Sequence, residues 1–401
     1  MDKKLTALFT EGRSVNIVGL RGSAAAFHLG RISRLGQCPI LCLTPSETAA
    51  QHLVQDLVLF IDSPVFYFPG HEIPPYTPLS PDSRTVAERL AVLFQVHSAD
   101  KPFVLVMSIE ALLRKILPRA ALAQLAELVM RGEDTDLEGL IASLVACGYD
   151  AAALVQSVGE FSLRGGILDI FPAGFEMPVR LDFCGDTVES IRKFDPISQR
   201  SVEEMEEIVL LPVSDILYPV GESDLRQLLD RFKAVANDLA WDNKRARAIE
   251  DCLQNRQRFP GVEFLLPLFY ERTSTVFDYL PNETFIFFSS PISITESLAL
   301  CRERIAANFV EASAAHLPVL PPEQIFFSED EWSERFARLR QGRFYDFAHP
   351  DMEAGETLEI SCGNHVFLKQ QLDLQRKNQG MMPELAKQLH TWLEAGDAVF
   401  F

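Results

Sequence analysis

The stretch that most constrains this chain runs Gly159-Glu160-Phe161-Ser162-Leu163-Arg164-Gly165-Gly166-Ile167-Leu168-Asp169-Ile170-Phe171-Pro172, with Pro178-Val179-Arg180-Leu181-Asp182-Phe183 behind it. Short apolar runs flank Gly165-Gly166, and a two-residue glycine connection supplies the φ > 0 that a tight hairpin requires. The reading is strand, turn, strand, and Pro172 ends the second strand because it has no N–H to give a ladder. A third strand is expected over 179–183, a turn at Gly185-Asp186 and a fourth strand over 187–194. Side chains alternate along a strand, so Val179, Leu181 and Phe183 share one face while Arg180, Asp182 and Cys184 share the other. The stretch predicts a small antiparallel sheet, buried on one face and carrying arginines on the other.

Upstream, residues 14–19 (Ser-Val-Asn-Ile-Val-Gly) read as a short buried strand, followed by a helix over 23–35 and a strand over 39–43. This is the order in which a P-loop nucleotide site is built. Set against G-x-x-x-x-G-K-[ST], Gly19 falls at the first glycine, Ala24 at the second, Ala25 at the lysine and Ala26 at the hydroxyl residue; Gly22 lies within the loop. The charge that meets the β/γ-phosphates and the hydroxyl that holds Mg²⁺ are both missing, so the turn is expected to be structural. A helix over 47–61, a strand, a helix over 83–96, a strand over 103–107 and a helix over 109–116 follow. These strand–helix alternations give a doubly wound α/β layer. Between them, 69–82 is a proline-rich loop. Its Tyr76 and His71 are expected to pin it to its own domain rather than to stack on a base.

Beyond the small sheet, the run Glu203-Glu204-Met205-Glu206-Glu207 reads as a solvated face rather than a metal site. Residues 219–258 are helical, with Leu228, Leu229, Phe232, Val235 and Leu239 as an apolar stripe. A strand is expected over 284–288, then a proline-rich joint at 317–322. Residues 358–368 and a helix over 383–393 are expected to begin another α/β unit. The chain stops at Asp397-Ala-Val-Phe-Phe401, inside what reads as a strand, which suggests the amino-terminal piece of a longer protein. Its 401 residues predict about two to four domains. A formal net charge of −19 disfavours tight sequence-independent binding to DNA. Seven scattered cysteines form no C-x-x-C pair, and no apolar run is long enough to span a bilayer. A cytoplasmic protein without membrane, metal or disulfide framework is the expectation.

The pattern G-[EQ]-F-S-x-R-G-G-I-L-D-I-F-P with P-x-R-L-D-F behind it resembles the second domain of the bacterial transcription-repair coupling factors (Mfd) and is similar, more distantly, to the equivalent domain of the excision-repair helicase UvrB. The resemblance covers essentially the whole chain. In UvrB the strand corresponding to 284–288 ends in an Asp-Glu pair that binds Mg²⁺; those places are Ser289 and Ser290 here, so a second nucleotide motif is degenerate too. The two motifs are expected side by side in one sheet, which makes the first domain discontinuous. The resemblance thus implies a P-loop-like domain from 1–118 and 213–322, an inserted UvrA-binding domain at 119–212, and a linker with a truncated third α/β domain over 323–401. It implies docking of UvrA through Arg164 and Arg180, with Asp182, Phe183 and Cys184 around them. Cys184 departs from the family pattern, which often has a second aromatic there. Alanine at either arginine is expected to weaken docking with little effect on melting; the alternative is that the arginines only pair with Asp169, Asp182 or Asp186 as surface salt bridges, worth roughly 0–1 kcal/mol. The fragment is expected to need no cofactor and to hydrolyse no ATP. For the longer parent, the resemblance implies an ATP- and Mg-dependent DNA translocase, RNA polymerase and double-stranded DNA as further partners, and masking by its own carboxy-terminal domain. The alternatives are a UvrB-like DNA helicase or a DNA-binding accessory module.

Overall fold

The computed structural model describes residues 14–398 apart from 37, 338, 364–365 and 376–381; most of the strand expected at 397–401 lies outside the described residues. In chain order the strands are β1 (Val15–Val18), β2 (Ile40–Thr44), β3 (Val65–Phe68), β4 (Val104–Ser108) and β5 (Glu127–Met130). Then come β6 (Asp150–Ala151), β7 (Glu160–Arg164), β8 (Ile167–Ile170), β9 (Val179–Cys184) and β10 (Thr187–Phe194). The last are β11 (Ser201–Met205), β12 (Glu207–Leu210), β13 (Phe285–Ser289), β14 (Gln341–Tyr345) and β15 (Glu356–Glu359). They form a mixed α/β structure with a parallel sheet and a largely antiparallel one.

The parallel sheet has seven strands in the order β15-β1-β14-β13-β2-β4-β3. All positions of β2 and β4 are buried, which is why both read as unbroken apolar runs. Ile40, Cys42, Val104, Val106, Phe285 and Phe287 point into one core, shared with Leu29 and Ile32 of the helix Ala24–Gly36 and Leu57 of Glu47–Val58. Leu41, Leu43, Leu105, Met107, Ile286 and Phe288 point into the other, with Leu90 and Leu93 of Ser83–His97 and Ile294 and Ile305 of Pro291–Ala314. Among the described residues, the first 118 hold the four strands that the sequence marks, β1 to β4. Within 323–401, expected as a linker and the start of a further unit, Gln341–Tyr345 and Glu356–Glu359 supply β14 and β15 to this sheet. Parallel strands pair through distant crossovers, so nothing local in the sequence marks their order.

The second sheet runs β11-β10-β9-β8-β7-β6, antiparallel except for β6, which pairs parallel to β7. The turn at its centre is as expected: Gly165 has φ +63°, and a Cβ on Gly166 would lie 2.6 Å from the Phe183 carbonyl oxygen. Phe161, Leu168, Ile170, Val179, Leu181, Val188 and Ile191 are buried on one face against Leu140 and Leu144 of the helix Leu137–Ala146. Ala87 and Ala91 of Ser83–His97 complete that core, so one helix packs on both sheets. Two features departed from expectation. One is β5, a strand not expected from the sequence, which pairs with β12; the acidic run, expected as a solvated face, forms β11 and the start of β12. Its charges are solvated and paired, Glu203 with Lys193 at 2.8 Å and Glu204 and Glu206 with Arg131 at 3.3 and 3.4 Å. In the stripe on Glu222–Asp238, Leu228 and Phe232 are buried, but Leu239 is past the helix end and exposed.

Candidate functional site

The nucleotide-motif residues gather at the carboxyl end of the parallel sheet. Gly19 follows β1 and Ser290 follows β13, but β14 runs between those strands, so the two motifs are not side by side. Two strand spacings put them roughly 10 Å apart. Both turns are fastened to β14: the Gly19 N–H donates to the Tyr345 carbonyl at 2.9 Å and the Ser290 N–H to that of Phe344 at 3.1 Å. Gly19 has φ +97°, and a Cβ there would stand 2.1 Å from the Ile360 carbonyl oxygen, so backbone conformation and packing by themselves already call for glycine. Ala26 is buried, and Ala24 and Ala25 pack partly buried against the same core. At the places where the P-loop pattern has its lysine and its hydroxyl residue, Ala25 and Ala26 offer only methyl groups, which cannot meet a phosphate or hold Mg²⁺. Among the described residues no group of three or more His, Cys, Asp or Glu is placed to hold a metal ion, and no helix is long and apolar enough to cross a membrane.

The loop between β3 and Ser83–His97 is held inward. Tyr76 is buried, its hydroxyl donates to the Leu320 carbonyl at 3.0 Å, and its ring stacks on Phe264 at 5.5 Å. His71 buries both ring nitrogens without a partner. Burial first, then the guanidinium groups of Arg89 and Arg114, push its pKa well below the ordinary range. A histidine held neutral in the fold but free to protonate when unfolded makes stability fall as pH drops below about 6.5. Between pH 7.5 and 5.5 the chain should lose about 1.4 kcal/mol more than His71→Phe does, measured by urea unfolding at each pH. Equal losses would remove His71 from the titration.

The polar face of the second sheet is built on one buried carboxylate. Asp169 on β8 has only 1% of its side chain exposed, and β7 and β9 pair with β8 on either side of it. Arg164 donates from Nη2 to its Oδ2 at 2.5 Å. Arg180 donates from Nε to Oδ1 at 2.6 Å and from Nη2 to Oδ2 at 2.9 Å, a two-point fork that fixes the guanidinium plane. That hydrogen bonding raises the Arg180 pKa above its usual range. The Arg180 guanidinium lies 4.6 Å from the centre of the Phe194 ring. Next along the face, Asp182 accepts from Ser190 at 2.5 Å and from Arg192.

The five residues singled out from the sequence do not form one surface. Arg164 has 49% of its side chain exposed and lies beside the Gly165 turn. Arg180 has 18%, most of it covered by its own partners, so alanine there is now expected to destabilise the fold rather than leave melting unchanged. Asp182 is partly buried beneath Arg192, and Cys184 is exposed at the strand end. Phe183 belongs to the opposite face and packs into the apolar core. Asp169 was expected only as one of three carboxylates with which the arginines could pair at the surface, whereas Arg192 and Ile167, which pairs with both Arg164 and Asp182, were not expected on this face at all. The signal for Asp169 was present, because a carboxylate inside Ile-Leu-Asp-Ile must sit in a buried strand and needs a cation.

Residues 128–215, which contain this face, match the family model described as the UvrB interaction domain. The chain is 33% identical over 402 residues to the transcription-repair-coupling factor of Myxococcus xanthus, covering 96% of this chain and 33% of that protein. It is 29% and 27% identical to the transcription-repair-coupling factors of Haemophilus influenzae and Escherichia coli, covering 78% of this chain and 27% of each protein. The chain therefore spans about a third of the length of the curated relatives it matches. Over nearly its whole length, the chain belongs to the transcription-repair-coupling factor family, with a UvrB interaction domain at residues 128–215.

Proposed function

We propose that this chain is a non-catalytic docking module that binds UvrA through the polar face of the second sheet and so brings excision repair to stalled RNA polymerase. The observation that carries the reading is the Asp169 fork. It holds two arginines in fixed positions on the segment that matches the UvrB interaction domain, with Arg164 half in water. Arginine fixed in advance loses little side-chain entropy on meeting a partner carboxylate, which favours it as an interface anchor.

The first domain is proposed to be a P-loop-like, doubly wound unit that has kept the sheet and lost the chemistry. On this reading the polar-faced sheet is an insertion within it, and the chain itself needs no cofactor and turns over no ATP. ATP, Mg, double-stranded DNA and RNA polymerase belong to the longer parent, a cytoplasmic translocase whose carboxy-terminal domain masks the docking face. A UvrB-like helicase lacks support in Ala25, Ala26, Ser289 and Ser290. A DNA-binding module lacks it in the net charge of −19 and in the inward-held Tyr76. Size-exclusion chromatography of the chain mixed with UvrA should give a joint peak at micromolar concentration; two separate peaks would reject the reading.

A further inference from the structure

A cleft of about 740 Å³ lies beside β14, walled by the helix Pro291–Ala314, which packs over β13 and β14, and by the helix Glu329–Ala337. Its volume falls within the range of small-molecule sites, roughly 300–1,000 Å³. Ile294 and Leu298 of the first helix and Trp332 and Phe336 of the second give it apolar walls, and the Trp332 and Phe336 rings stack at 4.0 Å.

Arg343 of β14 lines this cleft and is only 5% exposed. Its Nη2 donates twice, to Gln341 Oε1 at 2.7 Å and to the Glu353 carboxylate. Its Nη1 is buried and has no hydrogen-bond partner. The guanidinium lies 5.8 Å from the centre of the Phe288 ring, which helps to hold it in place. A buried charged donor without an acceptor is costly, and a ligand that supplies the acceptor removes that cost. Glu353 also lines the cleft; 65% of its side chain is exposed, and its backbone carbonyl accepts from Asn16 Nδ2 at 2.8 Å. The arrangement recurs on the helix Pro291–Ala314, where Arg302 meets Glu329 through Nη1 at 3.5 Å and keeps Nη2 buried and unpartnered.

Among the described lining residues the charged groups are these two arginines and two glutamates, so the formal charge of the cleft is zero. A simple anion would meet the glutamates as well as the arginines. A ligand that carries both signs a few bonds apart satisfies an arginine donor and its neighbouring carboxylate together. We propose that this cleft binds a free α-amino acid with an apolar side chain. The carboxylate accepts from Arg343 Nη1, the ammonium donates to Glu353, and the side chain lies against Trp332 and Phe336. The site is separate from the polar face of the second sheet, and the proposal stands or falls independently of UvrA docking.

The test is a calorimetric titration of the whole chain with L-phenylalanine and with two analogues that each lack one charge, 3-phenylpropanoate and 2-phenylethylamine. L-phenylalanine should bind saturably, with a Kd of about 0.1–1 mM, and each analogue at least about 10-fold more weakly, having lost one charge-assisted contact. Glu353→Gln leaves Arg343 an acceptor at a largely exposed position and should melt as the parent does. It should bind L-phenylalanine about 10-fold more weakly and 3-phenylpropanoate no more weakly than the parent. The proposal is overturned if L-phenylalanine gives no saturable heat up to about 10 mM. It is overturned equally if 3-phenylpropanoate binds as tightly as the amino acid, or if Glu353→Gln keeps the parent's affinity for it.

Discussion

Asp169→Ala is expected to cost about 3 kcal/mol or more of folding stability, the range found when one partner of a buried ion pair is removed. The cost arises at Arg180. It is mostly covered, donates two hydrogen bonds to Asp169 and would keep its charge with only the Gln199 amide oxygen as acceptor and Asp182, already bonded to Ser190 and Arg192, as the neighbouring carboxylate. Arg164 contributes little to this figure, since half of its side chain is already in water. Asp169→Asn keeps the volume and one acceptor oxygen and should cost less, about 1–3 kcal/mol. Urea unfolding of the two variants decides the matter. A loss below about 1 kcal/mol for Asp169→Ala would mean that the fork does not organise the face.

Gly19→Val should be comparably damaging, at about 3–5 kcal/mol, from two causes that add. A branched side chain at φ +97° is strained by roughly 1–3 kcal/mol, and its Cβ collides with the Ile360 carbonyl, an overpacking cost of about 1–3 kcal/mol more. The prediction separates a packing glycine from a phosphate-cradling one. On the packing account the loss of stability appears without any nucleotide, and Mg-ATP leaves the melting temperature of the parent chain unmoved, because a ligand that bound the native state would raise it. A parent chain stabilised by Mg-ATP would show that the loop still holds phosphate.

The parts legible in the sequence were those with local marks. Alternation along 179–184 correctly divided Val179 and Leu181 from Arg180 and Asp182, and the Gly165-Gly166 pair marked its hairpin. Unbroken apolar runs marked β2 and β4 as strands buried on both faces. What escaped was set by distant pairing. Nothing in Gln341–Tyr345 announces that it slides between β1 and β13, so the degenerate motifs were expected to adjoin and residues 341–359 to belong elsewhere. The site was half legible for a related reason. Composition marks the arginines, but their exposure depends on which carboxylate they find. Asp169 lies 5 residues from Arg164 and 11 from Arg180, and it is the cross-strand register that joins all three.

The most direct test of the docking account is a calorimetric titration of UvrA with the parent chain and with Arg164→Ala. The variant should melt at the parent temperature, since Asp169 keeps both bonds from Arg180. It should bind UvrA about 30-fold more weakly, the equivalent of about 2 kcal/mol for a hot-spot arginine. A parent chain that gives no saturable heat, or an Arg164→Ala variant that binds with the parent's affinity, would contradict the assignment of this face as the one that docks UvrA.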